Sequence, residues 1–128
     1  MSKIKLTGKV VSGRGEGRKY LELAWVKQQI TEKLGFSPYL GTLNLLLNEE
    51  SMKHRRLLGK NAALGVCQSE GFCTGLLFQA SIGGLTCGVV IPQVENYPDN
   101  LLEIVAPMNL RQKLRLRDGD EVGVTVFL

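Results

Sequence analysis

The chain has 128 residues, of which 44% are hydrophobic and 22% are charged, a composition typical of one globular domain with a substantial core. No apolar run approaches the ~18–20 residues of a membrane span, and the N-terminus lacks the apolar region of a signal peptide, so we expect a cytoplasmic protein without membrane contact. Three cysteines and one histidine without metal-ligand spacing argue against a disulfide framework and a zinc site.

The net charge of +4 and the pI near 9.1 indicate an anionic partner. This balance suits nucleic acid, but it suits a phosphorylated small molecule equally well. Aromatic residues make up only 6% of the chain, which argues against a platform that stacks single-stranded bases. Charge alone therefore leaves both classes of partner open.

The first predicted elements are a strand and a glycine-rich loop. Apolar residues alternate with lysine and threonine over residues 3–10, which is the period of a half-buried strand. The loop that follows contains Gly13, Arg14, Gly15, Glu16, Gly17 and Arg18. Its glycines permit positive φ and a close approach of backbone amides to an anion, and its arginines suit phosphate. A plain hairpin or bulge is the alternative for such a loop.

A helix is predicted next. The apolar side chains of Val26, Ile30 and Leu34 recur at helical spacing and form one stripe. Gly35 stands just past this stripe, where glycine commonly ends a helix. The pattern therefore predicts a helix over Ala24–Leu34.

The strand predicted over Thr42–Leu47 has one apolar and one polar face. Its three leucines alternate with polar positions and are expected to enter the core. Thr42 and Asn44 share the opposite face, which we expect to look into a cleft. A hydroxyl and an amide oxygen side by side suit Mg²⁺, whose other positions are filled by water and phosphate. Ordinary surface polarity is the alternative.

The second half of the chain consists of short apolar segments separated by turn signals. Residues 48–60 are polar and predict a short helix or a loop. The later predicted elements are strands over Ala62–Val66, Cys73–Ala80 and Leu85–Ile91, a loop over Gln93–Asn100, an apolar segment over Leu101–Val105, a short helix near Asn109–Leu114, a turn at Asp118–Asp120 and a last strand ending at Leu128. Six or seven short strands beside one longer helix indicate a β-barrel or sandwich.

Four segments in this order carry a family resemblance. They read Gly-Arg-Gly-Glu-Gly-Arg at 13–18, Gly-Phe-Ser-Pro-Tyr-Leu-Gly-Thr-Leu-Asn at 35–44, Leu-Glu-Ile-Val-Ala-Pro-Met-Asn-Leu-Arg at 102–111 and Asp-Gly-Asp at 118–120. Together they resemble the archaeal CTP-dependent riboflavin kinase family. The resemblance implies a mainly β fold, a six-stranded Greek-key cradle-loop barrel with one main helix and short helical turns. Some members carry a winged-helix domain before the barrel, whereas here we expect one barrel domain over residues 1–128.

The resemblance also implies a reaction and its site. The family transfers the γ-phosphate of CTP to the 5′-hydroxyl of riboflavin with Mg²⁺, which gives FMN and CDP. By position, Gly13–Arg18 would hold the CTP phosphates, and Thr42 and Asn44 would hold Mg²⁺. Arg18 is our candidate for stabilising the developing charge, with Arg111 second. The remaining nucleotide contacts would come from Asn109, Leu110, Arg111 and Gln112.

Two glutamates concern the flavin side of the implied site. Glu103 is the one carboxylate in an apolar segment, and the resemblance places it at the flavin chain, as a general base or as an anchor for ribityl hydroxyls. Without the resemblance, an exposed strand residue is the alternative. The family usually has threonine where this chain has Glu95, at a flavin-contacting position. A carboxylate repels phosphate, so either Glu95 turns away and Asn96 substitutes, or flavin binding is altered.

Three functional hypotheses follow. The first is the riboflavin kinase, a monomer whose partners are CTP, CDP, riboflavin and FMN. The second is a nucleic-acid-binding barrel related to swapped-hairpin transcription factors, favoured by the pI and by the basic cluster at Arg111–Arg117. The third is a flavin or nucleotide sensor without turnover, for which Glu95 is the hint.

Overall fold

The structure, a computed structural model, describes residues 3–12, 21–58, 64–69, 72–93 and 95–128. It contains seven strands and three helices in these ranges. In chain order they are β1 (Lys3–Val11), α1 (Ala24–Leu34), β2 (Leu43–Leu47), α2 (Glu49–Arg55), β3 (Leu64–Ser69), β4 (Phe72–Ile82), β5 (Leu85–Pro92), β6 (Leu101–Val105), α3 (Leu110–Lys113) and β7 (Glu121–Phe127). Among the helices in these ranges, none has the length and apolar character needed to cross a membrane.

Six of the strands close into an antiparallel barrel. Their order around the barrel is β1-β2-β6-β5-β4-β7, and β7 pairs with both β1 and β4 to complete the ring. The closing pairs join Ala80 to Val126 and Ser81 to Thr125. Strand β3 pairs with the first half of β4 and lies outside the ring. The predicted six-stranded barrel is therefore confirmed, with β3 as an additional strand.

The interior of the barrel is filled by one face of each strand. On β2, Leu43, Leu45 and Leu47 are buried in the main hydrophobic cluster, as the alternation predicted. On β6, Leu102 and Ile104 join them, so residues 101, 103 and 105 belong to the outer face. Because burial of apolar area is the dominant favourable term in folding, this alternation specifies which face of each strand points inward.

Helix α1 covers part of the outer face of the barrel and creates a second buried layer. Its stripe of Val26, Ile30 and Leu34 packs in a cluster with outward-facing side chains of the sheet. Those side chains are Leu77 on β4, Val90 on β5 and Val105 on β6. At Gly88, an added Cβ would lie 2.3 Å from Leu34 Cδ1, so the absence of a side chain lets Leu34 of the helix pack directly onto β5.

Local signals account for the helix boundaries. Helix α1 has the predicted bounds, and Gly35 ends it with a φ of 80°. The polar stretch after β2 forms a helix rather than a loop, because the Asn48 side chain caps it by accepting a hydrogen bond from the Ser51 amide at 2.8 Å. Strand β3 extends to Ser69, beyond the predicted Val66. Cys87 is buried and reduced, and burial raises the pKa of its thiol to about 12.

Candidate functional site

The centre of the candidate site is a polar pair on the outer face of the barrel. Antiparallel pairing places Asn44 of β2 directly opposite Glu103 of β6, and Val90 of β5 lies on the other side of Glu103. Residues opposite one another on neighbouring strands have Cβ atoms about 4.5–5.5 Å apart. The register therefore brings together two polar residues that are far apart in sequence.

Two hydroxyl groups complete this pair. Thr42 Oγ1 lies 2.7 Å from Asn44 Oδ1 and 3.1 Å from Glu103 Oε1, so its single proton is shared between two acceptors. The Tyr97 hydroxyl donates a hydrogen bond to the other carboxylate oxygen, Glu103 Oε2. We refer to Thr42, Asn44, Tyr97 and Glu103 as the buried polar cluster. Each oxygen of the Glu103 carboxylate thus faces a hydroxyl donor.

Burial of this cluster differs from the sequence-based expectation. Glu103 has no exposed surface, so the alternative reading of an exposed strand residue is wrong. Asn44 is only 8% exposed, so it does not look into an open cleft, whereas Thr42 is half-buried. The expectation failed because it considered one strand, while the adjoining strands and the loop carrying Tyr97 cover the outer face here. A buried carboxylate is costly unless it is hydrogen-bonded, which the two hydroxyls provide.

A cavity of about 210 Å³ adjoins the cluster at Thr42. One wall comes from the segment before β2, including Tyr39 and Gly41, and the other wall comes from the end of β6 and the residues after it. Asn109, Leu110 and Arg111 line this second wall, so three of the four nucleotide residues predicted in this segment share one cavity with Thr42. The cavity is smaller than the roughly 300–1,000 Å³ of typical ligand pockets, so it has room for one part of a nucleotide.

The segment containing these three residues is held in a fixed shape. The Asn109 side chain caps α3 by accepting a hydrogen bond from the Gln112 amide at 3.2 Å. Asn109 Nδ2 also lies 3.5 Å from the Tyr39 hydroxyl across the cavity. The carbonyl groups of residues 109–112 each accept a backbone hydrogen bond within the following turn. The Gln112 side chain is exposed.

A second group of polar residues links three segments near this wall. Arg111 Nη1 lies 2.8 Å from Asp118 Oδ1 and donates a hydrogen bond to Ser12 Oγ at 2.6 Å. Ser12 Oγ donates in turn to Asp118 Oδ1 at 2.7 Å. The hydrogen bond from Ser12, followed by that from Arg111 and its charge, lowers the pKa of the Asp118 carboxyl. We refer to Ser12, Arg111 and Asp118 as the exposed polar cluster, because the Arg111 and Asp118 side chains are 35% and 59% exposed.

The other predicted site residues are Gly13–Arg18 and Glu95. Gly13–Arg18 fall outside the described residues, and Ser12 is the last described residue before them. Glu95 is exposed, at a turn in the loop between β5 and β6. Asn96 beside it has a φ of 62°, an unusual backbone conformation that asparagine tolerates better than most residues. The contact that this loop makes with Glu103 comes from Tyr97.

Tyr97 was missed by the sequence analysis. It is the only aromatic residue of the predicted loop over Gln93–Asn100, among prolines, acids and amides. A lone tyrosine in a polar loop was the available signal, since a half-buried tyrosine such as Tyr97 commonly directs its hydroxyl to a buried partner. The sequence did not identify that partner, because Tyr97 and Glu103 meet through the path of the loop.

The chemistry of the cluster fits an oxygen-preferring cation. Thr42 Oγ1, Asn44 Oδ1 and Glu103 Oε1 converge within hydrogen-bond distance, and hard cations such as Mg²⁺ prefer oxygen ligands. Within the parts of the chain that the structure describes, no three His, Cys, Asp or Glu side chains gather around a common point.

These features define a class, a closed antiparallel barrel with a buried polar cluster on its outer face and a cavity beside it. The model of the family CTP-dep_RFKase, described as "Domain of unknown function DUF120", matches residues 10–126. The chain belongs to this CTP-dependent riboflavin kinase family.

The curated relatives that the chain resembles are archaeal proteins named riboflavin kinase. The chain is 43% identical over 132 residues to a riboflavin kinase of Archaeoglobus fulgidus, covering 98% of this chain and 55% of the relative. It is 41% identical over 135 residues to a riboflavin kinase of Pyrobaculum arsenaticum, covering 100% of this chain and 63% of the relative. A riboflavin kinase of Ignicoccus hospitalis is 42% identical over 128 residues, with 97% and 72% coverage. The chain thus spans somewhat more than half the length of the first two relatives.

Proposed function

We propose that this protein transfers the γ-phosphate of CTP to the 5′-hydroxyl of riboflavin in a magnesium-dependent reaction that gives FMN and CDP. Family membership and the riboflavin kinases among the relatives support the reaction class. The observation that carries the proposal to this chain's own residues is the pairing of Asn44 with Glu103, with Thr42 in contact with both. This pairing brings a cation-binding pair next to a carboxylate, as phosphoryl transfer to a hydroxyl requires.

Part of the nucleotide would occupy the cavity between Thr42 and α3. Asn109, Leu110 and Arg111 line this cavity, which supports their assignment to nucleotide binding. Their carbonyl groups already accept backbone bonds, so contacts to the base fall mainly to amides and side chains. Arg111 is paired with Asp118, so a phosphate would compete with that carboxylate for the guanidinium. This competition favours Arg18 over Arg111 for stabilising the developing charge.

Thr42 and Asn44 would hold Mg²⁺ through their side-chain oxygens. When bound, the ion neutralises charge on the phosphate oxygens and orients the transferred group. The protein fixes both ligands before binding, because Asn44 is held by the sheet register and Thr42 is hydrogen-bonded to it. Ligands held in place lose little conformational entropy when the ion arrives.

Glu103 would act on the riboflavin side. The 5′-oxygen forms a bond to the γ-phosphorus while the bond from that phosphorus to the bridging oxygen breaks, and CDP leaves with the electron pair. Glu103 either accepts the hydroxyl proton or anchors the ribityl hydroxyls. A carboxylate offers about four acceptor positions, and two of them face Thr42 and Tyr97. Because Glu103 has no exposed surface, a substrate hydroxyl would reach it by displacing one of its neighbours.

The decisive experiment is a turnover assay. The protein is incubated with riboflavin and either CTP or ATP, with and without Mg²⁺, and FMN is followed by chromatography. We expect FMN to form preferentially from CTP and only with the metal.

Other outcomes select the other hypotheses. Absence of FMN with measurable binding of riboflavin or CTP would overturn the kinase proposal in favour of a sensor. Absence of binding for both ligands, with salt-sensitive binding of duplex nucleic acid, would favour the nucleic-acid-binding barrel, since such binding weakens steeply with salt.

A further inference from the structure

The residue that this inference concerns is Tyr97, whose hydroxyl donates to Glu103 Oε2. Glu103 has no exposed surface, and its other oxygen, Oε1, lies 3.1 Å from Thr42 Oγ1. A carboxylate held at both oxygens cannot rotate about its terminal bond without losing one of the two hydrogen bonds. Tyr97 and Thr42 together therefore determine the plane of the carboxylate.

The loop that carries Tyr97 is itself attached to the barrel. The carbonyl of Asn100 accepts a hydrogen bond from the Leu47 amide at 2.7 Å, which ties the loop to the end of β2. The carbonyl of Asp99 accepts one from Arg55 Nη1 at 2.7 Å, which ties the loop to the end of α2. These attachments use the two residues before β6, so they hold Tyr97 close to the strand that carries Glu103.

Arg55 is an unusual anchor for a surface loop. Its Nε is buried without a hydrogen-bond partner among the residues described. Burial lowers the pKa of the Arg55 guanidinium, and the nearby Tyr97 and Asp99 partly oppose this effect. A buried arginine is costly, so its contact with the loop indicates that the loop position is specified by the fold.

We infer that Tyr97 is a positioning residue for the proposed kinase reaction, which holds the Glu103 carboxylate oriented toward Thr42. This inference rests on the proposed function for its effect on turnover, but the Tyr97–Glu103 contact is a property of the protein alone. Tyr97 acts through Glu103 and takes no part in bond making. In this role, the loop between β5 and β6 acts by orienting Glu103. The sequence analysis had instead expected Glu95 of this loop to lie at a flavin-contacting position.

The groups around Glu103 show what fixes its carboxylate. Strand β2 places the uncharged amide of Asn44 opposite Glu103, and strand β5 places Val90 there. On the loop side, Tyr97 donates to the carboxylate, and Arg55 lies near Tyr97 and Asp99. Loss of the Tyr97 hydroxyl should therefore remove one of the two hydroxyl contacts that fix the plane of the carboxylate.

The test is a double-mutant cycle with Tyr97→Phe, Glu103→Gln and the pair. Phenylalanine keeps the ring and removes only the hydroxyl, so we expect a folded protein whose kcat falls about tenfold. The KM for CTP should change little, because Tyr97 acts through Glu103 on the riboflavin side. In the Glu103→Gln background, Tyr97→Phe should have little further effect, because the residue on which it acts has gone.

A second measurement does not depend on turnover. Thermal melts of the wild type, Tyr97→Phe, Glu103→Gln and the double variant give the coupling between the Tyr97 hydroxyl and the Glu103 carboxylate. We expect Tyr97→Phe to lower Tm less in the Glu103→Gln background than in the wild type. Tyr39→Phe is the matched control, since it removes a hydroxyl that faces Asn109, and its effect on Tm should be the same in both backgrounds.

The outcomes separate the two proposals. Additive effects of Tyr97→Phe and Glu103→Gln on Tm, or the same loss of turnover with and without Glu103, would overturn the positioning role even if FMN is made. Absence of FMN in the wild type would overturn the kinase proposal, while coupling between the two residues in the melts would still support the Tyr97 contact.

Discussion

The two polar clusters of this protein lie close in the fold but differ in their physical character. The buried polar cluster joins neutral hydroxyls to one carboxylate with no exposed surface. The exposed polar cluster joins Arg111 to Asp118 across side chains that are 35% and 59% exposed. Electrostatic interactions are screened strongly by water and salt at the surface and weakly in the interior.

This difference suggests different functions for the clusters. A buried group that is oriented and dehydrated is suited to act on a reacting hydroxyl, because its position and charge do not need to reorganise during the reaction. An exposed ion pair contributes little to stability and exchanges partners readily. We therefore expect substitutions in the buried cluster to change turnover, and substitutions in the exposed cluster to change nucleotide affinity and salt dependence.

The largest effect is expected for Glu103→Gln, which keeps the shape of the side chain and removes its charge. If Glu103 accepts the proton, kcat should fall roughly 10²–10⁴-fold while CTP affinity changes little. Steady-state kinetics with CTP and riboflavin varied separately give both quantities. Equal losses in kcat and in CTP affinity would contradict a role on the flavin side.

Thr42→Val should have the next largest effect. Valine has nearly the same shape, so the fold should persist, but the hydroxyl that contacts Asn44 and Glu103 is lost. We expect magnesium-dependent turnover to fall roughly 10–100-fold, with a higher magnesium concentration needed for half-maximal rate. A magnesium titration of the rate measures this, and circular dichroism checks the fold. Near-normal activity would remove Thr42 from the metal site.

Arg111→Gln tests the exposed cluster. The change removes a cation from the cavity wall, so the KM for CTP should rise about two- to tenfold while kcat changes less. The matched control is Lys113→Gln, which removes an exposed cation two residues further along α3. The increase in the KM for CTP that Arg111→Gln causes should become smaller as the salt concentration rises. A large fall in kcat with unchanged KM would instead give Arg111 a role in the chemical step.

The smallest effect is expected for Asp118→Asn. Because the folded state lowers the pKa of Asp118, the pair stabilises the protein fully above the ordinary aspartate pKa, and this stabilisation is lost as the pH falls through the folded-state value. The variant should lower Tm by about 2 °C or less at pH 7 and by nothing at low pH. Thermal melts from pH 2 to pH 7, at low and high salt, measure the difference. If Asp118→Asn still lowers Tm at low pH, the charge of Asp118 is not the cause of the difference.

Several parts of the fold follow from local sequence because their cause is local. The stripe of Val26, Ile30 and Leu34 with Gly35 behind it predicts helix α1 with its observed bounds, since periodicity and a cap act within one element. The leucines of β2 predict its inward face for the same reason. The Asn48 cap is also readable in the sequence, although the prediction left a helix and a loop open for that stretch.

The candidate site was only half predictable. Thr42 and Asn44 share a face because residues two apart on a strand always do, and the sequence by itself determined that pair. Their meeting with Glu103, the burial of Glu103 and the hydroxyl of Tyr97 on its second oxygen depend on strand register and on the path of a loop. The same holds for Ser12, Arg111 and Asp118, which come from three separate segments. Only the tertiary structure decided these contacts, because register and burial are set by the packing of the whole barrel and not by the order of neighbouring residues.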